Sequence, residues 1–178
     1  MAMSEVDLRT QHVGVTGTVP EGAVSEADAS KRVRDMFTHI APRYDLLNHL
    51  LSLQLDRLWR ARVTRKLAPI LNRSEALVLD LCCGTGDLAL SFARAGKARV
   101  IGADFAHPML VRATEKSAQQ SARSGGRAMP FLEADALGLP FADNSFDLVS
   151  TAFGFRNLAN YESGLREIYR VLKPGGTI

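Results

Sequence analysis

The chain has 178 residues and a formal net charge of +3; 46% of its residues are hydrophobic and 23% are charged. These values are close to the average of soluble globular proteins, and the length suits one domain. No apolar run reaches the roughly 18 residues that a bilayer-spanning helix needs, and the amino terminus lacks the basic-then-apolar pattern of a secretory signal. The sequence therefore predicts a cytoplasmic protein.

The only two cysteines are adjacent, at Cys82 and Cys83. Neighbouring residues at a strand end point to opposite faces, and no second pair of cysteines exists to complete a disulfide or a metal site. The sequence therefore predicts no metal and two small buried residues that pack a tight turn.

The amino-terminal part of the chain is expected to be a loose tail followed by helices. Residues 1–24 show neither helical nor alternating periodicity, so we expect a disordered or loosely attached tail. Residues 25–73 form the helical region, which could act as a lid over the carboxyl ends of the strands that follow. It comprises a helix capped by Ser25 and closed by Pro42, a short piece from Tyr44 to Ser52, and a helix from Asp56 to Leu71 with an apolar stripe of Leu58, Trp59, Val63, Leu67 and Ile70.

The helical region is strongly basic. Residues 31–73 contain ten Lys or Arg against three Asp, a net charge of +7. This charge favours peripheral contact with an anionic membrane, at its inner face for a cytoplasmic protein, although a solvated helix face explains it equally well. Nucleic acid is not expected as a partner, because aromatic interleaving and nucleic-acid motifs are absent.

The rest of the chain is organised around a strand, a glycine turn and a helix. Leu77 to Leu81 is an apolar run typical of a parallel strand that is covered on both faces. Gly84 and Gly86 follow, where the backbone must turn sharply and a ligand must come close. A helix then runs from Asp87 to Ala95, and Gly96 lies at the position favoured for a helix cap. Such a unit predicts a nucleotide-cofactor site.

The spacing Gly84-x-Gly86-x-x-Ala89 fits both nicotinamide dinucleotides and S-adenosylmethionine. The neighbouring acids favour the second cofactor. Asp87 in the first helical turn would repel a pyrophosphate, whereas Asp80 and Asp87 would attract the positive sulfonium and ammonium groups of S-adenosylmethionine. A nicotinamide-dependent oxidoreductase and a cofactor-fold protein without chemistry stay open as alternatives.

Three more strands deliver polar residues to the same edge of the predicted sheet. Asp104 ends the second strand, 20 residues after Gly84, which is the spacing of a carboxylate that binds ribose hydroxyls. The third strand, Met129 to Ala134, delivers Asp135 and Ala136, whose carboxylate and backbone N–H could recognise adenine. The fourth strand spans Asp147 to Phe153, and a helix from Tyr161 to Leu172 follows it.

Three motifs resemble class I S-adenosylmethionine methyltransferases: Val78–Asp87, Leu139–Asp147 and Arg170–Gly176. Three others, Phe37–Asn48, Trp59-Arg60 and Phe153–Asn157, are similar to the C-methyltransferases of menaquinone and ubiquinone biosynthesis. The resemblance covers about residues 30 to 178. It implies methyl transfer to a ring carbon of a polyprenylated quinol, either demethylmenaquinol or a ubiquinone-pathway benzoquinol. Another small-molecule S-adenosylmethionine methyltransferase is the alternative.

The resemblance places cofactor contacts on Thr85, Asp104, Asp135 and Ala136, beside Asp80 and the two glycines of the turn.

Quinol chemistry suggests the catalytic residues. Arg156 could stabilise a developing phenolate while Asn157 orients the ring hydroxyl or a water. A water held by Arg156 and Tyr44 is the favoured base, with His49 as an alternative, because a guanidinium stays protonated. The competing interpretation of Arg156 is a structural salt bridge to Asp147 or Asp143.

The expected fold is a doubly wound α/β, Rossmann-like sheet in residues 74–178, with strand order 3-2-1-4. Only Thr177 and Ile178 are assigned to a fifth strand, so we expect a fragment of a longer methyltransferase in which strand four is an open edge. Such an edge favours poor stability or association into an oligomer.

Overall fold

The computed structural model describes residues 16–44, 55–125 and 127–178. Residues 1–15 of the predicted tail lie outside these ranges. The predicted helical piece from Tyr44 to Ser52 also lies outside them apart from Tyr44, as do Asn48 and His49.

From residue 77 onward helices and strands alternate, except that β4 follows β3 with no helix between them. In chain order they are α1 (Glu26–Ile40), a 3-10 turn (Ala41–Arg43), α2 (Leu55–Lys66), a helical turn (Ala68–Leu71), β1 (Leu77–Leu81), α3 (Asp87–Ala95), β2 (Arg99–Asp104), α4 (His107–Ser124), β3 (Phe131–Glu133), β4 (Phe146–Ser150), a 3-10 turn (Phe155–Asn157), α5 (Tyr161–Val171) and β5 (Leu172–Thr177).

Five parallel strands form one sheet in the order β3-β2-β1-β4-β5, which confirms the predicted doubly wound class. β1 is central and pairs with β2 on one side and β4 on the other. Its side chains alternate between two apolar layers: Val78 packs with Phe92 of α3, whereas Leu79 packs with Ile168 of α5. Because the strands are parallel, their carboxyl ends meet at one edge of the sheet, and the glycine turn lies there.

The fifth strand corrects the prediction for the end of the chain. β5 begins at Leu172, directly after α5, and pairs with β4 through Phe146 opposite Leu172 and Leu148 opposite Thr177. The segment from Lys173 to Gly176 lies within this strand, where a shift in the register of pairing with β4 accommodates it. The expectation that strand four is an open edge is therefore wrong, because β5 covers it.

Gly96 is the C-cap residue of α3, as predicted, but it does not have the left-handed conformation that usually favours glycine there. Its φ of −156° is ordinary extended backbone, so no left-handed conformation requires glycine there. A side chain at Gly96 would instead lie 2.0 Å from the Leu71 carbonyl oxygen, and that oxygen accepts hydrogen bonds from Lys97 and Ala98. Glycine lets the end of the helical region approach the start of β2.

Residues 16–24 depart from the expected loose tail. The Thr18 N–H donates to the Leu158 carbonyl oxygen at 2.8 Å, and Ala23 is buried beside Ala29 and Ala159. The predicted cap of α1 is confirmed, since Ser25 Oγ accepts from the Asp28 N–H at 3.1 Å. Thr16, Thr18 and Ala23 therefore already contact the rest of the domain before residue 25.

The predicted helix from Asp56 to Leu71 is divided into α2 and a separate turn, with Pro69 in the first turn of the second piece. Its apolar stripe is only partly buried: Val63 and Ile70 pack against the core, whereas Leu58 is 70% exposed. Within the described ranges, no helix is both long enough and apolar enough to cross a bilayer.

Asp147 joins three parts of the fold at the amino ends of β1 and β4. Its carboxylate accepts hydrogen bonds from the Leu77 N–H at 2.9 Å, Arg73 Nη2 at 2.7 Å and Lys173 Nζ at 2.7 Å. Burial opposes ionisation, but the hydrogen bonds from Lys173 and Leu77 and the nearby charges outweigh it and hold the pKa of Asp147 below its usual value.

We expect Asp147→Asn to lower the free energy of unfolding at pH 7 by about 1 to 2 kcal/mol, because charge-assisted bonds are lost. A lowered native pKa gives stability that is present above the unfolded pKa and is lost as pH falls. The difference from wild type should therefore shrink from pH 7 toward pH 3 in urea denaturation. Glu75→Gln, at an exposed partner of Arg73, is the control and should have little effect; equal stability of D147N and E75Q at pH 7 would contradict the assignment.

Candidate functional site

A cavity of about 770 Å³ opens at the carboxyl ends of the strands. The helical region lines one side of it through Phe37, Ile40 and Trp59, and its action as a lid stays a prediction. Eight of the ten residues predicted for the site line this cavity: Tyr44, Gly84, Thr85, Asp104, Asp135, Ala136, Arg156 and Asn157. Asp80 and Gly86 are not among its lining residues.

The two glycines of the turn have different functions. Gly84 has a φ of +55° and lines the cavity, where a Cβ atom would have Tyr44 Cε1 as its nearest neighbour, at 3.8 Å. Gly86 has a φ of +80°, but a side chain there would lie 2.8 Å from the Phe131 ring, away from the cavity. Gly84 thus leaves room for a ligand, whereas Gly86 lets the turn pack against β3 and α4.

Asp104 holds the glycine turn in place. Its Oδ2 accepts from the Gly84 N–H at 2.8 Å, and its Oδ1 accepts from the Ala106 N–H at 2.9 Å. Burial raises the pKa of Asp104, although these hydrogen bonds favour the charged form. The carboxylate therefore both faces the cavity and shapes it, and the sequence predicted only the first of these functions.

Asp80 lies behind the turn. It is 1% exposed, and its Oδ1 accepts from Ser150 Oγ at 2.6 Å. Among the described residues its Oδ2 has no hydrogen-bond partner. Burial raises the pKa of Asp80 to about 7, so near neutral pH this carboxyl attracts a cation less than the sequence suggested. A direct cofactor contact by Asp80 stays a prediction.

Asp87 is partly neutralised by two cations. Lys116 Nζ lies 2.8 Å from its Oδ1, and Arg60 Nη1 lies 3.5 Å from its Oδ2. Lys116 also donates to Thr85 Oγ1 at 2.9 Å. The argument that Asp87 would repel a pyrophosphate is therefore weaker in the folded protein than in the sequence, because the negative charge is shared with neighbouring cations.

The loop before α5 lies directly against the turn. A side chain at Gly154 would come within 2.1 Å of Cys82 Cβ, so glycine is needed for this contact. Cys82 itself has a φ of +55°. Burial raises the pKa of the Cys82 and Cys83 thiols well above the usual value, so both stay protonated at neutral pH. The prediction of two buried packing residues holds only in part, because both cysteines are half-buried and line the cavity.

Arg156 and Asn157 belong to the 3-10 turn that follows Gly154. The alternative of a salt bridge from Arg156 to Asp147 or Asp143 is wrong. Asp147 pairs with Arg73 and Lys173, and Asp143 pairs with Arg170. Within the described part of the chain, no carboxylate pairs with the exposed Arg156 guanidinium.

The structure shows an aromatic pair at the cavity that helical periodicity alone does not predict. Trp59 of α2 and Phe153 have ring centroids 5.4 Å apart and both line the cavity. The periodicity places Trp59 in an apolar core stripe, since helical spacing alone cannot distinguish a core from a ligand pocket. The available signal is that both residues belong to the motifs shared with the quinone C-methyltransferases.

The fold and the glycine turn define a Rossmann-like protein with a nucleotide-cofactor site, and the family match assigns it to the S-adenosylmethionine methyltransferases. The sequence matches the ubiE/COQ5 methyltransferase family over residues 25–178. The chain belongs to that family.

Relatives of the chain include two demethylmenaquinone methyltransferases. The one from Thermus thermophilus is 55% identical over 144 residues, 80% of this chain and 62% of the relative. The one from Deinococcus radiodurans is 45% identical over 152 residues, 85% of this chain and 60% of the relative. The ubiquinone/menaquinone biosynthesis C-methyltransferase UbiE of Dinoroseobacter shibae is 36% identical over 177 residues, 99% of this chain and 66% of the relative. The chain thus spans about 60% of the length of the first two.

Solved structures with the same fold show that it supports more than one reaction. An S-adenosylmethionine-dependent methyltransferase from Aquifex aeolicus matches with a TM-score of 0.51 and 26% identity, over 65% of this chain and 58% of that one. The [4+2]-cyclase SpnF matches with a TM-score of 0.56 and 32% identity, over 65% and 42%. The activity must therefore be argued from the site.

Buried Asp80 provides a test of the site's electrostatics. A raised native pKa means that the native state binds more protons than the unfolded state, so this group's contribution to stability falls as pH rises from about 4 to about 7. Asp80→Asn removes the titration. Between pH 4 and 8, the free energy of unfolding of D80N should gain roughly 2 to 4 kcal/mol relative to wild type.

Chemical denaturation across this pH range measures the effect, and Asp35→Asn on the exposed face of α1 is the control. Parallel pH curves for D80N and wild type would show that Asp80 does not carry the raised pKa.

Proposed function

We propose that the protein is an S-adenosylmethionine-dependent C-methyltransferase that methylates a ring carbon of a polyprenylated quinol, with demethylmenaquinol as the natural acceptor. The observation that carries the proposal is the shared cavity. It brings Arg156 and Asn157 to the same space as the glycine turn and Asp104, in a chain that belongs to a methyltransferase family.

The residues present fit S-adenosylmethionine. Gly84 leaves room where the turn meets the cavity, and the Asp104 carboxylate beside it can accept bonds from ribose hydroxyls. Asp135 and Ala136 lie at the end of β3, where a carboxylate and a backbone N–H can recognise the adenine amine and a ring nitrogen. When bound, S-adenosylmethionine supplies an electrophilic methyl group on a positively charged sulfur.

In this proposal Arg156 acts on the quinol. A ring carbon becomes nucleophilic when its neighbouring hydroxyl loses a proton, and a guanidinium without a carboxylate partner in the described chain can stabilise the resulting oxyanion. Asn157 lines the same cavity, and its backbone and Nδ2 bond to Gly154 and Phe153, which orients it. Tyr44 faces the cavity beside Gly84. Together with Arg156 it can hold a water molecule, and this water is the proton acceptor.

The apolar surroundings suit the ring and its prenyl tail. Trp59 and Phe153 offer aromatic faces, while Met36 and Leu55 extend the lining toward the surface. A nicotinamide-dependent oxidoreductase is less consistent with this chain, because the family match supports methyl transfer. Ubiquinone-pathway benzoquinol is a second candidate acceptor, supported by the name of the Dinoroseobacter shibae relative.

Methyl transfer from S-adenosylmethionine to a short-chain demethylmenaquinol tests the proposal directly. Arg156→Leu should lower kcat about 100-fold or more with little change in adenosylhomocysteine affinity, because the guanidinium acts on the quinol oxygen. Arg156→Lys should recover only part of the activity, since it lacks the planar fork. Arg166→Leu on the exposed face of α5 is the matched control. Wild-type protein that binds adenosylhomocysteine but does not methylate the quinol would refute the proposed acceptor.

We also propose that α2 docks on an anionic membrane, where a polyprenylated quinol would reside. Leu55 and Leu58 are 62% and 70% exposed on this helix, beside Trp59 at the cavity. Exposed Arg57 and Arg62 lie on the same helix. Apolar side chains together with cations are the combination that binds anionic lipid surfaces.

Vesicles test this docking. Binding should require anionic lipid and weaken as salt is raised, and Leu58→Ser should reduce it several-fold. Val111→Ser, which removes an exposed apolar side chain from α4, serves as the control. If neutral and anionic vesicles bind equally, or neither binds, the basic region is only a solvated surface.

A further inference from the structure

The segment of residues 16–20, here called the strap, crosses the loop that carries Arg156. The Thr18 N–H donates to the Leu158 carbonyl oxygen at 2.8 Å. Gly17 lies so close to this backbone that a side chain there would be 2.1 Å from the same oxygen. The strap is therefore fixed by backbone contacts, in a part of the sequence whose composition predicted a loose tail.

Two hydroxyl groups converge on the peptide of Arg156. Thr18 Oγ1 donates to the Arg156 carbonyl oxygen, and Tyr161 Oη donates to the same oxygen at 3.1 Å. The two hydroxyl oxygens lie 3.1 Å apart. A carbonyl oxygen has two lone pairs, so it can accept both donors.

Both donors are themselves held in place. The Tyr161 ring stacks on Phe155, with centroids 5.4 Å apart and an interplanar angle of 21°. Asn160 caps α5 by accepting from the Ser163 N–H, and its Nδ2 donates to Glu26 Oε2 of α1 at 2.9 Å. The carbonyl is thus fixed from the strap on one side and from the start of α5 on the other.

We propose that Thr18 and Tyr161 are positioning residues that aim Arg156 into the cavity by fixing its peptide plane. The inference rests on the proposed function, in which Arg156 contacts the quinol oxygen. No carboxylate among the described residues orients the guanidinium, so its direction follows from the backbone of the 3-10 turn. An arginine that must meet a developing oxyanion needs such support, because small misplacements reduce rate strongly.

Thr18→Val removes the hydroxyl while keeping the branched shape. We expect it to lower kcat about tenfold, the factor that corresponds to one lost hydrogen bond, with unchanged adenosylhomocysteine affinity and unchanged KM for S-adenosylmethionine. Thr18→Ser should restore activity to near the wild-type value. Thr16→Val is the matched control, because the Thr16 hydroxyl bonds to Asn160 Oδ1 instead and the variant should keep full activity.

Two further variants separate positioning from general destabilisation. Tyr161→Phe keeps the ring stack on Phe155 and removes only the hydroxyl, so it should reproduce the kcat loss of T18V. In the background of Arg156→Leu, adding T18V should cause no further loss, because Thr18 acts through Arg156. Wild-type kcat in T18V, no rescue by T18S, or a parallel loss of kcat and adenosylhomocysteine affinity would each overturn the proposal.

Hydrogen–deuterium exchange of the loop that carries Arg156 tests the positioning role without depending on methyltransferase activity. The hydrogen bonds from the Thr18 and Tyr161 hydroxyls to the Arg156 carbonyl are here called the two-hydroxyl clamp. Faster exchange over residues 154–158 in T18V than in T16V supports this clamp. If the wild-type protein also fails to methylate demethylmenaquinol, only the proposed function is refuted. Unchanged exchange in T18V would refute the clamp itself.

Discussion

The hydrogen bond from the Gly84 N–H to the Asp104 carboxylate is the interaction on which the site depends. It joins the turn after β1 to the end of β2, and the second oxygen of Asp104 holds Ala106 at the start of the next helix. A buried carboxylate is costly unless it is hydrogen-bonded, so these N–H groups stabilise the charge while the charge fixes their geometry. The same side chain can then offer its remaining lone pairs to ribose.

Three other acidic residues, Asp80, Asp87 and Asp147, have structural roles that differ from that of Asp104. Asp80 is buried behind the turn, where it accepts a hydrogen bond from Ser150, and its burial favours the protonated form of the carboxyl. Asp87 is neutralised by Lys116 and Arg60, which connects the glycine turn to α4 and to the helical region. Asp147 has a comparable structural role at the opposite end of the strands. Four carboxylates line the cavity, those of Asp56, Asp87, Asp104 and Asp135, and the first two are paired with Arg60 or Lys116.

The side of the cavity that carries Arg156 depends on contacts between distant parts of the chain. Gly154 lets the Arg156 loop lie on Cys82, Trp59 of α2 packs on Phe153, and the strap reaches the Arg156 peptide. Each contact joins residues that are far apart in sequence. In the proposed function these contacts hold the guanidinium where charge develops, and the apolar side chains around it limit water.

The sequence by itself determined the strand–turn–helix unit, the parallel sheet and eight of the residues that line the cavity. The unit, the sheet and the positions of Asp104 and Asp135 follow from local signals: an apolar run, glycines where Cβ atoms would interfere, and acids at strand ends that parallel topology brings to one edge. The roles of Tyr44, Thr85, Arg156 and Asn157 came instead from the resemblance of their motifs to known methyltransferases. Tertiary structure alone decided the pairing of β5 with β4, the close approach of Gly96 to Leu71, the neutralisation of Asp87 and the order of residues 16–24. Each of these depends on atoms far apart in the chain, and side-chain periodicity carries no information about such partners.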